Sequence, residues 1–375
     1  MEEKKGKGLR FVLLTYAVRS CFYLLAGNLL VVVVSLHPLQ SLTLDEPFGT
    51  LNIWSHFDGE HYIKIALEGY YRDPDYGVVS RSPAFFPLYP LLIRTMTYVF
   101  GGPVTLGTLS VWGVVISLLT FPLALYFVYR IAENGWGTRV AQGTVLTLAF
   151  FPTSFFFNAV YTESLFLALS GGAVWAARVR KDLFLACLLA GLAAATRNVG
   201  MFLLIPLTYE WLKGVRYYRW RGVYLLLAPS GLIAYMTYLW WRFGDPLIFY
   251  SEQGAKWGRQ ATNPLAMLGT AWDQASFNGF FLGFVIVLFI IGLRLLPLDL
   301  SAYTFMLAVL PAFFGPPPPD DPLLSFPRHL LVAFPLFIVL GVLLRKRWAL
   351  AGWLVASAAA SLVFCGMFVT WRFVA

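Results

Sequence analysis

Residues 114–128 read VVISLLTFPLALYFV, with no charged side chain among them. Leu29–Leu36 (LLVVVVSL) and Phe280–Leu293 (FFLGFVIVLFIIGL) are runs of the same kind. Such runs recur from one end of the 375-residue chain to the other, separated by short polar breaks. Charged residues make up 13% and hydrophobic ones 59%, where a soluble protein carries about 25% charged residues. The mean hydropathy is +0.69. A soluble domain with that balance could not cover its own surface. In hydrocarbon every backbone polar group must be satisfied within the chain, so the runs are read as helices. The fold class expected is an all-α polytopic membrane protein.

The formal charge of +9 suggests a nucleic-acid partner until the charges are placed. With the N-terminus MEEKKGKGLR taken as cytoplasmic, the inside segments are roughly 1–10, 130–139, 178–182, 213–221, 294–300 and 345–348. They hold 4, 2, 3, 4, 1 and 3 Lys and Arg residues, which is 17 of the 28 in the chain. That concentration in short segments is the positive-inside pattern of a membrane topology, and no nucleic acid is implied. Cys21, Cys187 and Cys365 each fall inside an apolar run, unspaced for a metal or redox pair, and read as small buried hydrophobes. Residues 1–36 are too long, and lack the small-residue cleavage site, for a removable leader; they read as a retained first span.

The spans expected are approximately 11–36, 106–129, 140–157, 162–177, 183–196, 199–212, 222–241, 279–294, 301–314, 329–344 and 349–370. That is a bundle of about 11 transmembrane helices (9–13, because 183–212 is short enough to be a re-entrant pair). Residues 1–375 then form one transmembrane domain. Its long outside segments are a first loop over 37–105, a second over 242–278 and a proline-rich turn over 315–328. Within the first loop, Phe85–Phe100 is broken by Pro87, Pro90 and Arg94 and reads as an interfacial, juxtamembrane helix.

Residues 52–69, NIWSHFDGEHYIKIALEG, read as an amphipathic helix. His56, Glu60 and Lys64 form its polar stripe, with Glu60 and Lys64 spaced to pair. Asp58 lies on the other side, with Trp54, His61, Tyr62 and Ile65. A carboxylate there has a desolvation cost to explain. Burial would raise its pKa, which suits a general base. The alternatives are a structural hydrogen bond to a neighbouring loop, or a metal site shared with His61. Trp54, His61 and Tyr62 are the candidate substrate contacts beside it. His37 and His56 read as loop histidines.

The order Trp54, Asp58, His61-Tyr62, Ile65-Ala66, Gly69-Tyr70 and Phe85-Phe86-Pro87-Leu88-Tyr89-Pro90-Leu91 resembles the PIG-V family. Phe151-Pro152, Tyr161-Thr162-Glu163-Ser164, Ala195-Thr196-Arg197 and Pro327-Arg328-His329 extend the resemblance to about residue 340. Eukaryotic members of that family are the second mannosyltransferase of GPI-anchor synthesis, and prokaryotic relatives are many. One departure is Phe57, where the family commonly has tryptophan just before the aspartate. The resemblance implies the GT-C membrane fold and transfer of a sugar from a polyprenyl or dolichyl phosphate with inversion. It also implies an acidic base in the first outside loop, which maps to Asp58.

Among the other candidates, Glu163 starts a span. It is either a helix-terminus carboxylate or a group that binds sugar or orients Asp58. Arg197 interrupts an apolar stretch and suits a donor phosphate, with pairing to Glu163 as the structural alternative. Arg328 and His329 at the outer start of a span, and Arg81 more weakly, suit the same phosphate. Asp245, Glu252, Lys256 and Asp273 in the second loop are open as acceptor contacts. Arg19, inside the first span, needs a buried partner.

The function expected is transfer of a hexose, mannose by the family resemblance, from a polyprenyl-phosphate sugar to a lipid or glycan acceptor on the extracytoplasmic face, with no cofactor and no required metal. The site would face outward from the plasma membrane in a prokaryote, or into the endoplasmic reticulum in a eukaryote. No inside segment is long enough for a nucleotide-binding domain. A carrier or flippase for a lipid-linked or small polar substrate is the rival reading, and would place ionisable residues at the midplane within an inverted repeat. A non-catalytic scaffold would leave Asp58 unexplained.

Overall fold

The structure, a computed structural model, describes residues 2–34, 49–71, 82–261, 269, 277–316, 323, 325–372 and 374. The helices are α1 (Glu2–Val34), α2 (Gly49–Asn52), α3 (Asp58–Glu68), α4 (Leu88–Phe100), α5 (Leu106–Trp136) and α6 (Thr138–Ala149). They continue with α7 (Glu163–Trp175), α8 (Leu183–Thr196), α9 (Leu204–Lys213), α10 (Val215–Tyr218), α11 (Ser230–Phe243) and α12 (Ile248–Trp257). The last five are α13 (Phe277–Leu295), α14 (Leu298–Thr304), α15 (Phe326–His329), α16 (Phe334–Leu343) and α17 (Arg347–Val369). Two short strands, β1 (Gln260–Ala261) and β2 (Phe314–Gly315), pair antiparallel.

Five helical stretches among the described residues are long and apolar enough to cross a bilayer: Gly6–Val32, Leu106–Trp136, Val215–Phe243, Asn278–Leu295 and Arg347–Val369. A sixth is the pair Phe326–Val332 and Phe334–Leu343, if the 84° bend between them is allowed. This is fewer than hydropathy predicts. The apolar segments expected over 140–157, 162–177, 183–196, 199–212 and 301–314 instead hold shorter helices and irregular turns. Pro152 lies beyond α6, and Pro311 sits in a 3-10 turn after α14.

The long α5 is the centre of the bundle and packs against α1, α4, α6 and α7; α16 lies on α6, and α8 joins α7 to α11. Small residues let backbones meet. A Cβ at Gly341 of α16 would lie 2.8 Å from the Val140 carbonyl oxygen of α6. One at Gly231 of α11 would lie 2.0 Å from the Gly191 carbonyl oxygen of α8. On its outer side α5 exposes Leu119 and Leu123, apolar surface suited to lipid.

Arg19 is fully buried. It donates to the Asn158 side-chain oxygen and to the Ser154 carbonyl, and its guanidinium lies 4.6 Å from the Tyr23 ring centre and 4.7 Å from that of Phe121. The first span is thereby pinned to the turn Ser154–Phe157 that precedes α7. Cys187 and Cys365 are buried, but Cys21 is exposed on α1, against expectation, because α1 turns that side outward.

About 22 Å along α7 from Glu163, at roughly 1.5 Å per residue, the helix passes into a π-helical turn, Ala176–Arg180. There Arg178 bonds Asp299 of α14 and lies 3.5 Å from Glu210 of α9. Lys181 reaches the other Glu210 oxygen at 3.2 Å. Both carboxylates are buried.

Candidate active site

The expected helix over 52–69 begins only at Asp58; residues 53–57 form a turn instead. Gly59 N–H donates to the His56 carbonyl at 3.2 Å, and Phe57 has φ 56° and ψ −118°. Those angles put Phe57 at the first central position of a type II′ turn, where glycine dominates. For a bulky residue the conformation costs about 1–3 kcal/mol and persists only where surroundings enforce it. The Tyr161 hydroxyl does so from both sides. It donates to the His56 carbonyl at 3.1 Å and accepts from Asp58 N–H at 3.2 Å.

This turn corrects two readings. His56 is a buried histidine, 3.1 Å from the Phe368 carbonyl through Nδ1 and stacked on Trp371 at 4.1 Å. Burial pushes its pKa down to about 4, against the opposing effect of the Phe368 bond. Trp54 does not share a helix face with Asp58. It is fully buried beneath the turn, its ring against Gly27 and Phe368 and its carbonyl accepting from Val160 N–H at 2.8 Å.

The second half of the site comes from α15. Ser325, with φ 65°, turns the chain into it, and the Thr153 hydroxyl fixes the Pro327 carbonyl at 3.1 Å. Arg328 then donates to Asp58 Oδ2 at 2.7 Å, and its Nε lies 3.4 Å from Glu163 Oε1. Its guanidinium sits over the Tyr161 ring, 5.0 Å from the centre. Arg197, just after α8, donates to the same Glu163 oxygen at 2.8 Å and to the Thr162 hydroxyl at 3.2 Å. Burial does raise the Asp58 carboxyl, as expected, but the charges of Arg328 and His61 and the Arg328 hydrogen bond outweigh it. The net direction is below the usual carboxylate value. The expected upward shift is therefore corrected: Asp58 is held ionised by a guanidinium that sequence pattern did not pair with it.

These groups line a cavity of about 560 Å³. One wall is polar, with Asp58, Glu163, Arg197, Arg328 and His329; another is apolar, with Val199, Phe202, Met306, Leu307 and Leu310. Arg259, between α12 and β1, also faces the cavity. The β1–β2 pairing carries it there, by joining Gln260 to Gly315 ahead of α15. Burial, then the neighbouring Arg328 charge, push its pKa down to about 10, so it stays charged at neutral pH. Three guanidiniums thus face two carboxylates. An arrangement with one surplus cation suits an anion, and the apolar wall suits a hydrophobic tail attached to it.

The family described as mannosyltransferase (PIG-V) matches residues 41–218. That stretch contains Asp58, Tyr62, Glu163 and Arg197. The resemblance to the PIG-V family holds. GPI mannosyltransferase 2 of Drosophila pseudoobscura pseudoobscura is 27% identical over 116 residues, which are 30% of this chain and 24% of the fly protein. The fold is similar to that in the crystal structure of ArnT from Cupriavidus metallidurans bound to undecaprenyl phosphate, with a TM-score of 0.53 at 16% identity. The likeness covers 92% of this chain and 62% of that one.

Of the PIG-V-like candidates, Asp58, Tyr62, Glu163, Arg197, Arg328 and His329 come together in the cavity wall. Tyr62 approaches the Thr162 hydroxyl at 3.5 Å. His61 lies behind that wall, stacked on Phe85 at 4.5 Å. Glu163 is buried and is linked to Asp58 only through Arg328, which contacts both. Arg81, His37 and Asp273 lie outside the described residues. Glu252 braces α12, accepting from Ser82 at 3.0 Å and from Lys256 at 3.1 Å. Among the described residues no three His, Cys, Asp or Glu side chains converge as a metal set. Arg259 is a contributor that the sequence pattern did not point to, and Tyr161 is one named only within the family-like stretch Tyr161-Thr162-Glu163-Ser164, without a role of its own.

Proposed function

We propose that the chain is an inverting glycosyltransferase that moves a hexose, in the first instance mannose, from a polyprenyl phosphate to a lipid or glycan hydroxyl. The observation that carries this reading is the cavity in which one carboxylate, a surplus of guanidinium charge and an apolar wall meet. The PIG-V match supports the sugar. The likeness to ArnT, whose crystal structure holds undecaprenyl phosphate, supports a polyprenyl carrier. The phosphate would sit between Arg259 and Arg328, with its chain along Val199, Phe202 and Leu307. The positive-inside pattern supports an extracytoplasmic site, on the outer side of the plasma membrane in a prokaryote.

Asp58 takes the acceptor hydroxyl proton as that oxygen attacks the anomeric carbon from the face opposite the phosphate. The carbon–oxygen bond to the phosphate breaks, and polyprenyl phosphate leaves with the bonding pair. Arg259 and Arg328 stabilise the charge that grows on it. As Arg328 turns its hydrogen bonds from Asp58 to the phosphate, Asp58 loses its main stabilising partner and becomes the stronger base when the donor is seated. The cations already meet the leaving group, so a divalent ion has no assigned task. Purified protein should transfer mannose from polyprenyl-phosphate-mannose to a membrane-lipid extract, without nucleotide and in EDTA. Transfer from GDP-mannose alone, free of any lipid-donor synthase, would overturn the reading.

A further inference from the structure

We infer that Tyr161 is a positioning residue that sets the distance between Asp58 and Arg328, the two groups the proposed transfer needs in register. The inference rests on that functional reading for its kinetic part and on geometry for the rest.

The Tyr161 hydroxyl bridges the two peptide groups on either side of Phe57, accepting from Asp58 N–H and donating to the His56 carbonyl. It therefore holds closed a turn that Phe57, at φ 56°, does not favour by itself. On release, the chain around Phe57 relaxes toward negative φ, and Asp58, the next residue, moves with it. The face of the same ring carries the Arg328 guanidinium, 5.0 Å from its centre. One side chain thus meets the backbone of the carboxylate residue with its hydroxyl and the cation with its π-face.

The backbone that carries the ring is held from several directions. Val160 N–H donates to the Trp54 carbonyl at 2.8 Å, and the Ser117 hydroxyl donates to the Ala159 carbonyl at 2.8 Å. Ser164 closes onto the Phe157 carbonyl at 2.9 Å, and Arg19 grips Ser154 and Asn158 from the first span. The segment 153–163 is thus a platform: Thr153 at one end holds the Pro327 carbonyl beside Arg328, and Tyr161 near the other holds Asp58.

The test is Tyr161→Phe, which keeps the ring and removes the clip, beside Tyr161→Leu, which removes both. Hydrogen–deuterium exchange of the purified proteins should show backbone amides of 58–62 exchanging about tenfold faster in Tyr161→Phe, with α5 and α7 unchanged. Its kcat should fall about tenfold with donor KM held within about twofold. The acid limb of its kcat/KM–pH profile, which reports the donor-free protein, should move upward as Asp58 slips from Arg328. Tyr161→Leu should add a rise in donor KM. Unchanged exchange at 58–62 in Tyr161→Phe overturns the inference, as does faster exchange spread evenly through α5 and α7. If the wild-type protein transfers no sugar, the functional reading falls, while the exchange result still decides the role of Tyr161.

Discussion

Two clusters of charge gathered on buried carboxylates lie toward opposite ends of α7, and they are built to different accounts. At the far end, Arg178 and Lys181 face Glu210 and Asp299, two cations against two carboxylates, none lining the cavity. At the near end, Asp58 and Glu163 face Arg328, Arg197 and Arg259, all on the cavity wall. A balanced set away from the cavity has satisfied its own charges and ties the end of α7 to α9 and α14. An open set with a cation in excess has an unfilled electrostatic requirement, and that is what marks a ligand site. A buried charge alone does not separate the two; the balance and the opening do.

The sharpest way to break this comparison is Asp58→Asn, which keeps shape and removes the proposed base. Turnover of purified protein should fall by about 10²–10⁴-fold, with retention on polyprenyl phosphate largely kept. Arg178→Met should do the reverse. It strands Asp299 in the interior and leaves Glu210 with Lys181 alone, at a cost of about 3–5 kcal/mol read as a lower melting temperature in detergent, while the rate per folded molecule stays near wild type. Equal rate losses in the two variants would erase the distinction.

Arg259→Met removes the surplus cation and leaves no carboxylate unpaired. Donor KM should rise by about 10- to 100-fold, the order expected for a charge-assisted contact worth about 1.5–3 kcal/mol, with the melting temperature unchanged. Arg328→Gln tests the sign of the Asp58 shift. Burial remains and the lowering charge goes, so the Asp58 pKa rises. The acid limb of the rate profile should then move to higher pH, and activity should be lost sooner as pH falls. Smallest of all, Glu60→Gln lies off the cavity wall and should change kcat and KM by less than about twofold.

Much of the site was legible in order along the chain. Asp58, Glu163, Arg197 and Arg328 each stand out as charge set in apolar or aromatic surroundings. Of what joins them, only the pairing of Arg197 with Glu163 was legible. The pairing of Arg328 with Asp58 spans 270 positions, and Arg259 reaches the cavity through a two-residue strand pairing that no local pattern announces. The start of α3 was misread because His56, Glu60 and Lys64 keep helical spacing, while phenylalanine at 57 gives no sign of the positive φ that ends the periodicity. The expected spans and the long helices differ for a related reason. Hydropathy registers the apolar character of 140–157 and 301–314, but not the turns into which the chain breaks there.

The surplus of guanidinium charge also bears on how the catalytic cycle would close. A sugar-bearing polyprenyl phosphate is a diester with one negative charge, whereas the polyprenyl phosphate left after transfer is a monoester carrying roughly 1.5 to 2, with a second ionisation near pH 6 as for other phosphate monoesters. The cations that would attract the donor, Arg259 and Arg328, would hold the spent carrier more tightly still. Escape of that carrier into the lipid would then govern turnover, as product release does in many enzymes, and added polyprenyl phosphate would act as a competitive brake against fresh donor.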